Sequence, residues 1–238
     1  ELGRYVIPLL SGHVGGANEL AQYIGGALFA TPIITTATDI NGAFAVDVFA
    51  KKHNLFISSR KLAKDVSAAL LDKKSVDIDS DIEGFDVKEL NPENKTCAIK
   101  IRITDRIYDD GVLTLIPKDL YIGVGCKKDT DICKLWDFVN EVFIKEGLDI
   151  RAVKSVGSID IKKDEEAIKS LASKLDVPFV TFTKDELNLV KGDFCESEFV
   201  KKVVGVGNVC ERSVCIQCKN LIVKKTAKDG MTVAIGRE

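Results

Sequence analysis

Apolar residues along this chain recur at two spacings, and the switch between them marks out successive stretches. In the first stretch, apolar runs at 5–10 and 32–36 have the length and turn-bounded character of strands. Over 17–28 and 43–53 apolar side chains return every three or four positions, and Ala43, Phe44, Val46, Val48, Phe49 and Ala50 form a stripe in the second of these. Both predict helices, and strand–helix–strand–helix is α/β grammar.

From about 58 to 119 the pattern changes. A short amphipathic helix is predicted over 62–71, followed by strict alternation in Val76-Asp77-Ile78-Asp79 and again over 97–103, and by an apolar run at 111–117 that a proline ends. With D-I-E-G, N-P-E-N and D-D-G as turns, this reads as a small β-rich module or an elaborate linker. A second α/β unit then opens with a strand over 121–126. Helices are predicted over 131–146, where Ile132, Leu135, Trp136, Val139, Phe143 and Ile144 share a face, and over 163–175, where Ala167, Ile168, Leu171, Ala172 and Leu175 turn inward. Strands are predicted at 153–156 and 178–182, and 221–225 with 231–235 flank K-T-A-K-D-G, a sequence suited to an antiparallel hairpin.

Composition narrows the class. The 238 residues are 45% hydrophobic, enough for at least one sizeable core, and 34 Lys plus Arg against 36 Asp plus Glu leave no basic footprint for nucleic acid. No apolar run reaches bilayer length, and E-L-G-R-Y does not open a signal peptide. A cytoplasmic protein without nucleic-acid or membrane partners is expected. The seven cysteines read as reduced thiols. Cys210, Cys215 and Cys218 form C-x4-C-x2-C, with Cys195 as a conceivable fourth thiolate for zinc or an iron–sulfur centre. The paired C-x2-C is missing, however, and free Cys commonly serves as a small buried hydrophobe, so no protein metal is expected. The immediate start in an apolar segment suggests that the chain begins inside a domain.

Three segments carry candidate chemistry. In S-G-H-V-G-G-A-N-E-L-A at 11–21, Gly12, Gly15 and Gly16 let a ligand approach the backbone, and His13, Asn18 and Glu19 bring polar groups to the same bend. Amides at Gly15-Gly16-Ala17 can hold a carboxylate or an oxyanion, and His13 can hold or release a proton near neutral pH. A tight strand-to-helix turn gives the same pattern. Next, Thr36, Thr38, Asp39 and Asn41 fall at the carboxyl end of a strand, where open α/β sheets bind ligands; helix capping by Thr38, Asp39 or Asn41 is the alternative. Finally, G-V-G-N-V-C-E-R at 205–212 offers accessible backbone at Gly207 and Asn208, with Glu211 as acid/base and Arg212 as carboxylate ligand, or else an exposed Glu–Arg pair on a helix. Gly125 and Lys127 are its counterpart at the end of the strand over 121–126. Cys126 is a nucleophile only if a base lies near it in space. Walker and dinucleotide patterns are absent, which disfavours a nucleotide- or phosphate-binding enzyme.

The blocks V-I-P-L-L-S-G-H-V-G-G-A-N-E-L-A at 6–21, T-P-I-I-T-T-A-T-D-I-N-G at 31–42, F-A-V-D at 44–47, I-G-V-G-C at 122–126, S-V-G-S-I-D at 155–160 and G-V-G-N-V-C-E at 205–211 resemble, in that order, the CbiG family of cobalt-precorrin 5A hydrolases of anaerobic cobalamin biosynthesis. The resemblance implies two three-layer-type α/β domains joined by a small β-rich middle module, at about 1–57, 58–119 and 120–238, with further sequence before residue 5. It implies opening of the δ-lactone of cobalt-precorrin 5A, with loss of acetaldehyde and formation of cobalt-precorrin 5B. On this reading His13, Glu19, Asp39 and Glu211 are the acid/base candidates, and Gly12, Gly15, Gly16, Asn18, Thr36, Thr38, Asn41, Gly125, Lys127, Gly207 and Asn208 bind substrate. No cofactor is implied, since cobalt arrives in the tetrapyrrole substrate; a second copy of the chain or other enzymes of the pathway are the expected partners. The alternative from another class is a noncatalytic tetrapyrrole carrier.

Overall fold

The computed structural model describes residues 5–9, 16–34, 45–72, 74, 76–82 and 99–238. The chain divides into two compact units, residues 1–104 with 109–117, and residues 105–108 with 118–238.

The first unit begins as a parallel β–α–β element. Strands β1 (Tyr5–Val6) and β2 (Thr31–Pro32) pair Tyr5 with Thr31 and Val6 with Pro32, and helix α1 (Ala17–Leu28) crosses between them. Both strands are much shorter than the apolar runs predicted. Gly25 explains how the helix meets the second strand, because a Cβ there would lie 2.8 Å from the Ala30 carbonyl oxygen and 3.1 Å from the Pro32 ring.

Helix α2 (Val46–Lys52), strand β3 (Leu55–Ile57), helix α3 (Arg60–Leu71) and strands β4 (Val76–Ser80), β5 (Ile99–Ile103) and β6 (Leu113–Pro117) follow. The strands form one mixed sheet in the order β3-β6-β5-β4, parallel except where β3 runs against β6. Val46 and Ala50 of α2 and Val66 of α3 bury against Val76, Ile78, Ile101, Ile103, Leu113 and Leu115. The alternation in β4 has a direct reading. Val76 and Ile78 turn to this core, while Asp77 and Asp79 stand opposite Lys100 and Arg102 of β5, oppositely charged cross-strand pairs. Among the described residues, 58–119 holds one helix, α3, where a short helix is expected, and the three strands β4, β5 and β6. Strand β3 joins its sheet although it precedes residue 58.

In the second unit, β7 (Leu120–Gly125), α4 (Ile132–Lys145), β8 (Val153–Ile159), α5 (Glu166–Leu175), β9 (Phe179–Phe182), α6 (Lys184–Leu189), α7 (Glu198–Val204), α8 (Val209–Gln217), β10 (Asn220–Lys228) and β11 (Met231–Arg237) follow in order. The sheet runs β10-β11-β7-β8-β9, with β7, β8 and β9 parallel and β11 antiparallel to both neighbours. Leu120, Ile122 and Val124 are fully buried on one side of β7. On the other side Gly123 and Gly157 make a seat for α8: a Cβ at Gly123 would lie 1.9 Å from the Cys210 carbonyl oxygen, and one at Gly157 2.4 Å from the Gln217 amide nitrogen. Gly236 does the same beneath Val214 and Cys218. Gly123, Gly157 and Gly236 therefore let a helix settle onto the sheet, whereas Gly125 lies against the Thr232 side chain of β11. Asp229 and Gly230, both at positive φ, turn the β10–β11 hairpin with Lys228 paired to Met231. Asp105 holds the Arg237 guanidinium, tying residues 105–108 to this sheet.

Candidate functional site

The carboxyl ends of β7 and β8 open into a cleft of about 1290 Å³ contained in the second unit. Helices α4 and α5, which follow β7 and β8, pack against each other on one face of the sheet, and α8 lies over the other. The crevice outside the carboxyl ends of the parallel strands is where open α/β sheets place ligands. Gly125 and Ser158 form the floor, the latter fully buried with its hydroxyl donating to the Val124 carbonyl at 2.7 Å. The amino-terminal ends of α4, α5, α7 and α8 border the cleft, as does the β10–β11 turn.

The walls are largely apolar. Ile132, Ile159, Ile161, Phe199, Val203 and Met231 line them, with Phe199 76% and Val203 66% exposed on α7. The polar rim is mostly engaged in local structure. Asp131 caps α4 by accepting from the Lys134 amide at 2.9 Å. Glu165 pairs with Lys162 at 2.9 Å and accepts from the Thr130 amide, Glu166 pairs with Lys169 at 2.7 Å, and the Lys225 ammonium donates to the Cys195 carbonyl. Among the described residues, Lys127 and Lys128 make no ion pair. Lys127 lies along Gly230, whose missing Cβ would fall 2.2 Å from its stem.

Four of the expected site residues meet here. Gly125, Lys127, Gly207 and Asn208 all line the cleft. Gly207 also has a packing reason, since any Cβ there would collide with the Glu196 carboxylate. Asn208 caps α8, its side-chain oxygen accepting from the Glu211 amide at 3.0 Å while its amide donates to Glu211 at 2.6 Å and to the Cys195 carbonyl at 3.0 Å.

Glu211 is placed differently from either sequence-based reading. It is fully buried, and its carboxylate accepts from the Cys195 amide, the Asn208 side chain and the Lys225 amide. This ties the loop before α7, the cap of α8 and strand β10 to one charge, and Glu211 does not line the cleft. Arg212 is equally committed, donating to the Leu187 and Val190 carbonyls and pairing with Glu196 at 2.7 Å. The exposed Glu–Arg pair is thereby corrected: both groups staple loops to α8.

In the first unit, Gly16 caps α1 at φ 73, a left-handed conformation that suits glycine. Asn18 is buried and Glu19 exposed in the first helical turn. Gly12, His13, Gly15, Thr36, Thr38, Asp39 and Asn41 lie outside the described residues.

Cys210 and Cys218 behave as buried apolar groups. Burial pushes the Cys210 thiol up to about 12 and the Cys218 thiol up to about 11, and it raises Cys215 as well. Cys210 and Cys218 pack with Val214 and Ala234 between α8 and the sheet. Cys195 is exposed, and among the described residues no group of three or more His, Cys, Asp or Glu side chains is placed to hold a metal ion. Cys126 faces the cleft, but burial raises its thiol more than Thr130 and Lys162 lower it. His53 packs against Phe49 in the first unit, the rings tilted by 43° with centroids 4.5 Å apart.

Sequence reasoning missed Ser158, the Lys162–Glu165 pair, Lys225 and the apolar face of α7. Ser158 sits inside S-V-G-S-I-D, two positions past the predicted strand. The α7 face was readable from Ser197, which caps the helix, followed by Phe199, Val200, Val203 and Val204 at helical spacing.

The chain matches three family models: "Cobalamin synthesis G N-terminal" over residues 1–39, "Cobalamin biosynthesis central region" over 44–117 and "Cobalamin synthesis G C-terminus" over 120–236. The cobalt-precorrin-5A hydrolase of Salmonella typhimurium is 33% identical over 253 residues, covering 99% of this chain and 72% of the relative. That of Priestia megaterium is 28% identical over 263 residues, covering 99% and 70%. The solved structure of CobE, a protein from the cobalamin (vitamin B12) biosynthetic pathway, is similar over 52% of this chain and 92% of its own, at 21% identity and a TM-score of 0.48.

Proposed function

The chain belongs to the CbiG family of cobalt-precorrin-5A hydrolases in cobalamin biosynthesis, and from this premise we propose that it opens the δ-lactone of cobalt-precorrin 5A with water, releasing acetaldehyde and leaving cobalt-precorrin 5B. The observation that carries this reading is the 33% identity to the Salmonella typhimurium hydrolase across 99% of the chain. The cobalt belongs to the substrate.

Hydrolysis of the ester breaks the acyl C–O bond and needs a base to take a proton from water, donors for the oxyanion that forms at the acyl carbon, and an acid for the departing oxygen. Release of acetaldehyde then breaks the carbon–carbon bond that joins the freed alcohol to the ring; the hydroxyl gives its proton to a base as it becomes the aldehyde carbonyl, and the macrocycle keeps the bonding pair. In our reading His13 is the base or a donor to substrate, and the Gly15-Gly16 amides meet the oxyanion or an acetate side chain. Glu19 and Asp39 are the remaining acid/base candidates, while Gly12, Asn18, Thr36, Thr38 and Asn41 position substrate. Glu211 we take as a positioning residue, because its carboxylate already accepts from Cys195, Asn208 and Lys225. Gly125, Lys127, Gly207 and Asn208 serve substrate through the cleft that they line.

The test is anaerobic incubation of the purified protein with cobalt-precorrin 5A. Acetaldehyde is followed by coupled alcohol dehydrogenase and the corrinoid by mass. Equal amounts of acetaldehyde and lactone-free product support the proposal. Tight binding without acetaldehyde supports the carrier reading instead.

A further inference from the structure

We propose that helix α7 is a flap, hinged between Ser197 and Gly205, that closes over the cleft at the ends of β7 and β8 when the cleft is filled. The identity of what it closes over rests on the proposed function; the geometry is that of the second unit alone.

The base of the flap is a pinched neck. The Ser197 amide donates to the Gly207 carbonyl at 2.8 Å, and one step outward the Asn208 side chain donates to the Cys195 carbonyl at 3.0 Å. Gly207 permits so close an approach, because a Cβ there would collide with the Glu196 carboxylate. The departing arm is fastened again where Glu211 accepts from the Cys195 amide and Arg212 pairs with Glu196. On the returning arm, Gly205 ends α7 at φ 79 and its carbonyl accepts from the Asn188 side chain at 3.1 Å, and Val206 is fully buried. The chain therefore leaves the body and rejoins it at one point, as a compact Ω-type loop does.

Between these anchors the helix has little to hold it. It is seven residues long and none of them is buried. A helix that short is not stable in water by itself and depends on packing an apolar face. Such a face is present: Phe199, Val200, Val203 and Val204 recur at helical spacing and all line the cleft, whereas Glu198, Lys201 and Lys202 are exposed and do not. Val204, beside the anchored end, packs on the core that contains Leu187, Val206 and Val209. Phe199 and Val203 are left largely exposed over the cavity, as are Ile132 and Ile161 elsewhere on its lining. Fastened ends and few buried apolar contacts between them describe an element that opens locally at small cost, the class from which lids are drawn. Open, α7 leaves a mouth for a large ligand. Closed, it buries its own apolar face against the occupant and shields it from water.

The test is pulsed hydrogen–deuterium exchange of the full chain read by mass, with and without excess cobalt-precorrin 5A, and with acetaldehyde measured in the same samples. In the free protein the amides of 201–205 should be about a hundredfold less protected than those of 213–217 in α8. During the pulse with the corrinoid they should slow about tenfold or more, with α4 and α8 unchanged. Phe199→Ser combined with Val203→Ser, both at exposed positions, should abolish that slowing. Slowing without acetaldehyde leaves the flap standing and removes the hydrolase reading. Exchange equally fast with and without the corrinoid overturns the flap, and acetaldehyde in those samples leaves the reaction standing. Exchange of 201–205 as slow as that of α8 in the free protein, or slowing undiminished in the double variant, also overturns it.

Discussion

Replacing Asp119 by asparagine is expected to stabilise the second unit at neutral pH and to lose that effect in acid. Asp119 lies at the start of β7 with its side chain 15% exposed, and its Oδ1 has no hydrogen-bond partner among the described residues. The Arg237 guanidinium is 3.9 Å from its other oxygen but is already held by the buried Asp105. Burial first, and the Asp105 charge second, raise the Asp119 carboxyl from an ordinary 3.8 to about 6. Each pKa unit is worth about 1.4 kcal/mol, which sets a ceiling of about 3 kcal/mol; residual solvent contact reduces the effect to about 1–2 kcal/mol. The sign follows from proton counting. Between about pH 4 and 6 the native state binds more protons at this site than the unfolded chain, so its contribution to stability falls as pH rises through that window and is flat above it. The asparagine variant lacks this fall. Urea unfolding followed by the fluorescence of Trp136, in the same unit, should give a midpoint above that of the parent at pH 7.5, and nearly the same midpoint at pH 4. Equal midpoints at pH 7.5, or the same gain at both pH values, would refute the argument.

Gly123→Ala places a methyl group against the Cys210 carbonyl and lifts α8 from the sheet; a loss of about 2–3 kcal/mol in denaturant unfolding is expected, and an unchanged midpoint would mean that the seat is not close-packed. Glu211→Gln sets an amide N–H against one of the donors from Cys195, Asn208 or Lys225. It should cost about 2–3 kcal/mol while the folded fraction keeps its turnover, whereas normal stability with lost turnover would return Glu211 to the chemistry. For His13→Asn, acetaldehyde release should fall about a hundredfold or more with substrate binding retained; unchanged turnover would remove His13 from the mechanism.

Much of the second unit was legible because its signals are local. The Asp229-Gly230 turn follows from a few neighbouring residues, as does the alternation in β4 of the first unit; on α4 the expected inward Leu135, Val139 and Phe143 are buried, whereas Ile132 and Ile144, expected on the same face, are exposed at the two ends of the helix. The antiparallel pairing of Leu55–Ile57 with Leu113–Pro117 was not legible, since nothing in a short apolar triplet names a strand more than fifty positions away. The glycines mislead for a related reason. G-V-G reads as backbone opened for a ligand, yet Gly123 opens it for another helix. Glu211 illustrates the same limit. A charged residue in the first turn of a helix reads as solvated, and only the tertiary arrangement brings in the amide of Lys225 and the loop at Cys195 that bury it. Gly125, Lys127, Gly207 and Asn208, which line the cleft, were reached by noticing polar or glycine-rich segments at strand ends, and that rule also leads to Ser158.

The most direct test of the central claim is the fate of oxygen. With turnover run in heavy-oxygen water, attack at the acyl carbon places one solvent oxygen in the carboxylate freed from the lactone, detected by mass in the isolated corrinoid. The account predicts that label together with acetaldehyde in equal amount; acetaldehyde with an unlabelled carboxylate, or recovery of intact lactone, would contradict it.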